Sequence, residues 1–245
     1  MRILLTNDDG ADSVGIRTLA SVLRRSHEVA VVAPSSQRSA AGHGISLHAP
    51  VTYSSLDPEG CIMRIAADGT PADCVKLAAL YFLKDSPPDL VISGINEGAN
   101  IGSEVIYSGT VSAALEGAYL GFRSIAVSNT DPSFTDGYAY AAEMLADNLD
   151  RLLSFGLPPY TALNINYPRM KHKGIKIVGV GINRYSDSYT EAGERALKIS
   201  GYPVRDGMDE DTDVIQIENG YVTVSPVTLD RNDYAFLDKM KRIGL

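Results

Sequence analysis

The sequence predicts an α/β fold: a doubly wound, mostly parallel sheet between two helical layers, with a β-hairpin extension and a C-terminal helix. Three observations point to it. The first 33 residues read strand, helix, strand, a βαβ unit and hence a parallel sheet covered by helices. The same alternation continues to about residue 130 in the doubly wound manner. Beyond about Ile175 the texture changes to short strand-like pieces around an acidic stretch, the look of a β-rich appendage.

Taken in order, Ile3-Leu4-Leu5 is an apolar run ending in the turn-forming Asn7-Asp8-Asp9-Gly10, a buried strand and its exit loop. Ile16, Leu19, Ala20 and Leu23 recur at helical spacing, and Glu28 to Ala33 is a second β-branched run closed by Pro34. A long loop of polar and small residues follows, Ser35 to Gly44. Ser46 to Ser54 and Cys61 to Ala66 read as strands. Gly69-Thr70-Pro71-Ala72-Asp73 starts a helix, with a Thr cap and Pro at the first position; Cys74, Leu77, Ala78 and Tyr81 form its apolar stripe, and Pro87-Pro88 stops it. Leu90-Val91-Ile92 is the next buried strand and leads into a glycine-rich loop, 93–102. Val111 to Leu120 reads as helix, Ser124 to Ser128 as strand, Tyr138 to Leu153 as a long amphipathic helix, and Leu163 to Asn166 as the start of a further strand. Pieces at 175–182, 214–217 and 221–225 read as strands around Asp206–Asp211, and a terminal helix runs from Asp230. The expected division is a core over 1–182 and an extension with the C-terminal segment over 183–245.

Composition excludes several classes. At 245 residues, 44% hydrophobic and 21% charged, the chain can bury a sizeable core, so it is not disordered. No run approaches the ~20 apolar residues that span a bilayer, and Met1 to Thr6 runs straight into Asp8 with no room for a signal peptide, so neither membrane nor secretion is expected. Two cysteines without a CxxC spacing, and four scattered histidines, argue against a disulfide framework or structural zinc and for a reducing cytoplasm. A net charge of −8 disfavours a grip on nucleic-acid polymers. Small anions remain possible where a cation or amide cluster neutralises them.

Ligands of a doubly wound sheet sit outside the carboxyl ends of its strands. The first exit offers Asp8 and Asp9, the second a loop with Ser39, and the Leu90–Ile92 strand a loop with Asn96 and Asn100. An acidic pair in a polar turn is usually only solvated, but here it follows a buried strand directly at the ligand edge. These donors are almost all oxygen, which suits one divalent ion, Mg²⁺, Mn²⁺ or Ca²⁺, rather than zinc or copper. Ser108-Gly109-Thr110 precedes a helix whose unpaired N–H groups would suit a phosphate, or else it is a plain N-cap. The loop 93–102 matches neither GxGxxG nor GxxxxGK[ST], so dinucleotide and Walker readings fail on spacing. His43 could protonate a leaving alkoxide, or could be a solvated loop histidine. Cys61 and Cys74 read as small core residues.

TNDDG at 6–10, Arg38-Ser39, GTPADCVKLA at 69–78, SGINEGANIG at 93–102 and YSGTVSAALEG at 107–117 together closely resemble the SurE family. Weaker similarity continues through 163–168, 211–214 and 218–226; the extension, roughly 183–215, matches least. The resemblance implies a Rossmann-like core and a metal-dependent nucleotidase that hydrolyses nucleoside monophosphates at the 5′ or 3′ ester. It implies Asp8, Asp9, Ser39 and Asn96 as metal ligands, and Asn100, Ser108, Gly109 and Thr110 on the phosphate side. It also implies a homodimer or homotetramer built through the C-terminal segment. Asp8, Asp9 and His43 are the expected catalytic groups. Where many members have Ala-Pro-Gly-Ile after the acidic loop, this chain has Ser13-Val14-Gly15-Ile16, which removes a rigid helix start but no ligand. Two other readings are a receiver-like signalling module and a catalytically silent nucleotide-binding relative. The first needs a phosphoacceptor Asp where this chain has Asn96; the second is disfavoured by the intact donor set.

Overall fold

Side chains of both parities along the central strands are apolar and fully buried, as in Ile3, Leu4 and Leu5, so these strands must be covered on both faces. The computed structural model describes residues 1–131, 135–168, 172–204, 207 and 209–243. In chain order its elements are β1 (Arg2–Thr6), α1 (Val14–Leu23), β2 (Glu28–Pro34), β3 (Tyr53–Ser55), β4 (Met63–Ala67), α2 (Pro71–Leu77), β5 (Leu90–Glu97), α3 (Gly109–Tyr119), β6 (Arg123–Asn129), α4 (Thr135–Leu153), β7 (Thr161–Tyr167), β8 (Ile175–Ile177), β9 (Arg184–Glu191), β10 (Leu197–Val204), α5 (Asp213–Glu218), β11 (Val222–Thr228) and α6 (Tyr234–Ile243). A π-helical turn, Ala78–Phe82, prolongs α2, and a short 3₁₀ helix spans Gly102–Ile106.

Among the described residues the main sheet runs β3-β4-β2-β1-β5-β6-β7-β11-β8. The six strands from β4 to β7 pair in parallel, while β3 and β11 join antiparallel. After β1 the chain winds outward through β2 and β4, then crosses back to lay β5 on the other side of β1. The boundary between β1 and β5 is therefore the topological switch point, where loops diverge and leave a crevice. The expected doubly wound class is thus correct.

Helices α1 and α4 cover one face, packing Ile16, Leu19 and Leu145 on Ile3, Leu5, Ile92 and Ile125. Helices α2 and α3 cover the other, with Cys74, Val75 and Ala113 on Leu4, Val32 and Val91. A Cβ on Gly15 would lie 2.0 Å from the Ile95 carbonyl oxygen, so α1 touches β5 backbone to backbone. The helix begins at Val14 without the proline; Ser13 precedes it, and its Oγ accepts from Asn7 at 2.7 Å instead of capping α1. The expected start of α2 is present as a capping box, in which Asp73 N–H donates to Thr70 Oγ1 (3.1 Å) and Thr70 N–H to the Asp73 carboxylate (2.9 Å).

Four expectations need correction. Of the expected strand 175–182 only Ile175–Ile177 forms a strand, with an isolated bridge at Gly179. Of the expected strand 46–54 only Tyr53 and Ser54 pair, in β3; its first part is irregular and exposed, with Ser46 held through N–H and Oγ by Asp73. Residues 214–217 belong to helix α5, which buries Val214 and Ile217, three apart, against Ile101. The terminal helix starts at Tyr234, not Asp230. Of the acidic stretch, Asp206 and Met208 lie outside the described residues. The hairpin of β9 and β10 forms its own two-stranded sheet, whereas β11 returns to the main one. No helix among the described residues is long and apolar enough to cross a membrane.

Candidate active site

Asn7 is fully buried at the end of β1 and braces the turn that follows. Its Nδ2 donates to the Gly10 carbonyl (3.0 Å), and its Oδ1 accepts from Gly10 N–H (3.1 Å). Gly10 sits at φ +108°, a conformation open to glycine, and the chain turns sharply there. The two acids between them are thereby aimed at different neighbours. Asp8 Oδ1 accepts a short hydrogen bond from the Thr110 hydroxyl on α3. Asp9 Oδ2 accepts from Glu97 N–H at the end of β5 (3.1 Å).

The other two expected ligands lie on segments tied to this turn. Arg38 N–H donates to the Asp8 carbonyl (2.7 Å), so Ser39, the next residue and exposed, is anchored beside it. Asn96 is buried on β5, and its Nδ2 donates to the Gly98 carbonyl (2.9 Å), which orients the amide and leaves its oxygen as the acceptor. Asp8, Asp9, Ser39 and Asn96 thus come from three strand exits meeting at the β1–β5 switch point.

The electrostatics fit a cation. Burial pushes the Asp8 carboxyl up from its usual range, against the opposing pull of Thr110 and Gly109. Burial likewise lifts Asp9 to about 6, with Asp8 and Glu97 adding repulsion and Glu97 N–H opposing it. Among the described residues neither carboxylate forms an ion pair. Two adjacent desolvated acids without a counter-charge are costly, and a bound divalent ion would neutralise both. Among the described residues no three His, Cys, Asp or Glu side chains converge, so such an ion would rest on two carboxylates and neutral oxygens. That donor set suits a hard cation.

On the expected phosphate side, Ser108 caps α3 by accepting from Val111 N–H (3.1 Å). Gly109 lies against the acid: a Cβ there would sit 2.8 Å from Asp8 Cβ and 2.9 Å from its Oδ2. The carboxylate at the N-terminus of α3 is therefore the protein's own Asp8, using donors suited to an oxyanion. Asn100 is brought to the same loop but is engaged elsewhere. Its Nδ2 donates to Ser128 Oγ (2.8 Å), its N–H to Asn166 Oδ1 (2.9 Å), and its carbonyl accepts from Asn164 and Asn166.

His43 is hydrogen-bonded to a carboxylate outside the acidic pair. Its Nε2 is 2.8 Å from Glu116 Oε2, and Glu116 lies six residues beyond Thr110 on α3, ~9 Å along the helix. Lys76 Nζ is 2.7 Å from the other Glu116 oxygen. Burial alone would raise this carboxyl, but the His43 hydrogen bond and the Lys76 ammonium outweigh it and hold it below its usual range. Glu116 escaped the sequence reading, although a lone acid inside the buried run VSAALEGAYL was a visible signal.

A family model described as "Survival protein SurE" matches residues 3–189. A curated relative from Petrotoga mobilis, named 5′-nucleotidase SurE, is 43% identical over 98% of this chain and 98% of its own length. Another of that name from Alkaliphilus metalliredigens is 40% identical over 100% of this chain and 99% of its own. Among solved structures, the SurE protein from Aquifex aeolicus aligns with a TM-score of 0.86 at 35% identity, covering 99% of each chain.

Proposed function

From the premise that this chain belongs to the SurE family, we propose that it is a divalent-metal-dependent 5′-nucleotidase, a phosphoric monoester hydrolase releasing phosphate from nucleoside monophosphates. The observation that carries the reading is the unpaired acidic couple at the switch point, one member of which is seated against the first turn of α3. A catalytically silent role finds no support, because every donor of the expected set is intact.

Asp8, Asp9, Ser39 and Asn96 would hold the cation. When bound, it supplies Lewis-acid stabilisation of the charge that builds on the phosphoryl oxygens. The N-terminal turn of α3 holds Asp8; with the cation on that carboxylate, Ser108, Gly109 and Thr110 would line the phosphate and help stabilise its equatorial oxygens. Asp8, fixed by Thr110, orients the attacking water and can accept its proton. The leaving oxygen takes its proton from His43, which Glu116 orients, or from solvent. Phosphate release from each nucleoside monophosphate tests this, with EDTA and then Mg²⁺, Mn²⁺ or Ca²⁺ added back. Activity should fall to background and return with one of the three; undiminished turnover after exhaustive chelation would overturn the reading.

A homodimer or homotetramer is proposed for the assembled enzyme. The hairpin strands are exposed almost throughout, and α6 buries no residue although it carries Tyr234, Phe236, Leu237 and Met240. Apolar area left open on that scale marks an interaction surface. Light scattering should return two or four times 26.3 kDa; a monomer at micromolar concentration would refute it. Cys61 and Cys74 are buried and unpaired, which supports a reducing cytoplasmic setting.

A further inference from the structure

A carboxylate with no part in the mechanism above lies beneath the loop that carries Asn96 and Asn100. Asp213, the first residue of α5, is fully buried. Among the described residues it makes no ion pair. Its oxygens instead accept three backbone N–H groups, from Gly102 (3.0 Å), Gly181 (2.9 Å) and Val214 (2.8 Å). Burying an ionised group is expensive unless its lone pairs are filled, and here backbone amides fill them.

The partners lie far apart in sequence. Gly102 ends the loop that leaves β5, Gly181 leads into the hairpin, and Val214 follows it. Asp213 N–H also donates to the Gly179 carbonyl (2.9 Å), closing the hairpin's base. A second tether runs beside the first, since Asn183 N–H donates to Ser103 Oγ (2.9 Å). Packing at Gly102 is tight: a Cβ would lie 2.8 Å from Asn183 Cβ and from Val214 Cγ2. The loop from Asn96 is thus pinned at every second residue, Gly98 by the Asn129 carbonyl (2.9 Å), Asn100 by Asn164 and Asn166, and Gly102 by Asp213. The first two anchors belong to the sheet; the last comes from the extension.

Resting on the phosphatase reading of this site, we propose that Asp213 is a positioning residue: it locks the loop from Asn96 to Gly102 to the hairpin's base and so helps set where Asn96 stands. Asparagine at this position keeps the size but replaces one acceptor oxygen by an NH₂ that faces an N–H donor. One of the bonds to Gly102 or Gly181 is lost, and the loop end loosens.

Amide hydrogen exchange and steady-state kinetics on the full chain test this with Asp213→Asn. Peptides over 98–103 should exchange at least ~10-fold faster, while those from β1 keep wild-type rates. Mn²⁺ binding, measured by titration without substrate, should weaken, and kcat per folded molecule should fall by ~10-fold, within the range that small misplacements cause. A lower Tm with unchanged exchange at 98–103, unchanged Mn²⁺ affinity and unchanged kcat would make Asp213 a packing residue only and overturn the proposal. Should that variant not fold, Ser103→Ala decides, since it removes the parallel tether without disturbing a buried charge. Faster exchange at 98–103 supports the locked loop, and wild-type exchange there overturns it. A wild-type enzyme without cation-dependent turnover would sink the phosphatase reading alone, because exchange and Mn²⁺ binding still judge the lock.

Discussion

Asp8→Asn is expected to lower kcat at least ~100-fold, the scale of losing one main electrostatic contributor, and Asp9→Asn to do the same. Each change keeps the shape of the side chain and removes its charge, so loss of fold does not explain the effect. In the first variant the new amide oxygen can still accept from Thr110, and in the second it can still accept from Glu97 N–H. What disappears is half of the negative charge that would hold the cation. The same logic gives the opposite sign for stability. Burial raises both carboxyls, so each ionised acid opposes folding in the metal-free protein, and a neutral isostere removes that cost. Metal-free Tm should therefore stay level or rise in either variant while turnover collapses. Turnover above a tenth of wild type would defeat the assignment.

Parts of this molecule are legible in sequence because local and global signals agree. The run Ile3-Leu4-Leu5 into Asn7-Asp8-Asp9-Gly10 joins a buried strand to its turn within ten residues, and Thr70-Pro71 with Asp73 writes out a capping box. Helix α5 reads as strand because Val214, Ile215 and Ile217 are β-branched, and four residues cannot separate a period of 2 from one of 3.6. Only the tertiary contact of Val214 and Ile217 with Ile101 decides it. The strand expected from Ser46 fails for a related reason: Asp73, 27 residues on, captures Ser46 through its own capping geometry.

The site divides along the same line. The types of its proposed ligands are readable, since oxygen donors follow three strands. Their convergence is not, because it depends on β5 crossing back beside β1 and on single bonds such as Arg38 N–H to the Asp8 carbonyl. His43 illustrates the limit: a histidine in a small-residue loop suggests proton transfer, but its partner Glu116, 73 residues away, is visible only in the fold. Asp213 stands 111 residues from Gly102, so no local pattern could connect them.

Gly109→Ala is expected to be nearly as damaging to catalysis as the loss of an acid, and it isolates geometry from charge. Alanine is the better helix former by ~1 kcal/mol, so propensity alone would favour the change. Its methyl would meet Asp8 Cβ at 2.8 Å, Asp8 Oδ2 at 2.9 Å and Pro71 Cγ at 3.1 Å. Pro71 belongs to the first turn of α2, and Asp8 is braced by the Asn7 turn, so neither neighbour yields easily. The acid swings away from Thr110 or α3 shifts along its axis; either moves a proposed ligand relative to the proposed phosphate-binding turn by several tenths of an ångström or more. Displacements near 1 Å cost about 100-fold in well-oriented reactions, and kcat should fall on that scale. Tm should fall, since roughly 1–3 kcal/mol of overpacking exceeds what the helix former gains at the first helical position. Ser108→Ala, by contrast, loses a cap bond to Val111 N–H and should cost stability without crowding Asp8. If Gly109→Ala keeps more than a third of wild-type turnover, the close seat of Asp8 on α3 is not what prepares the site.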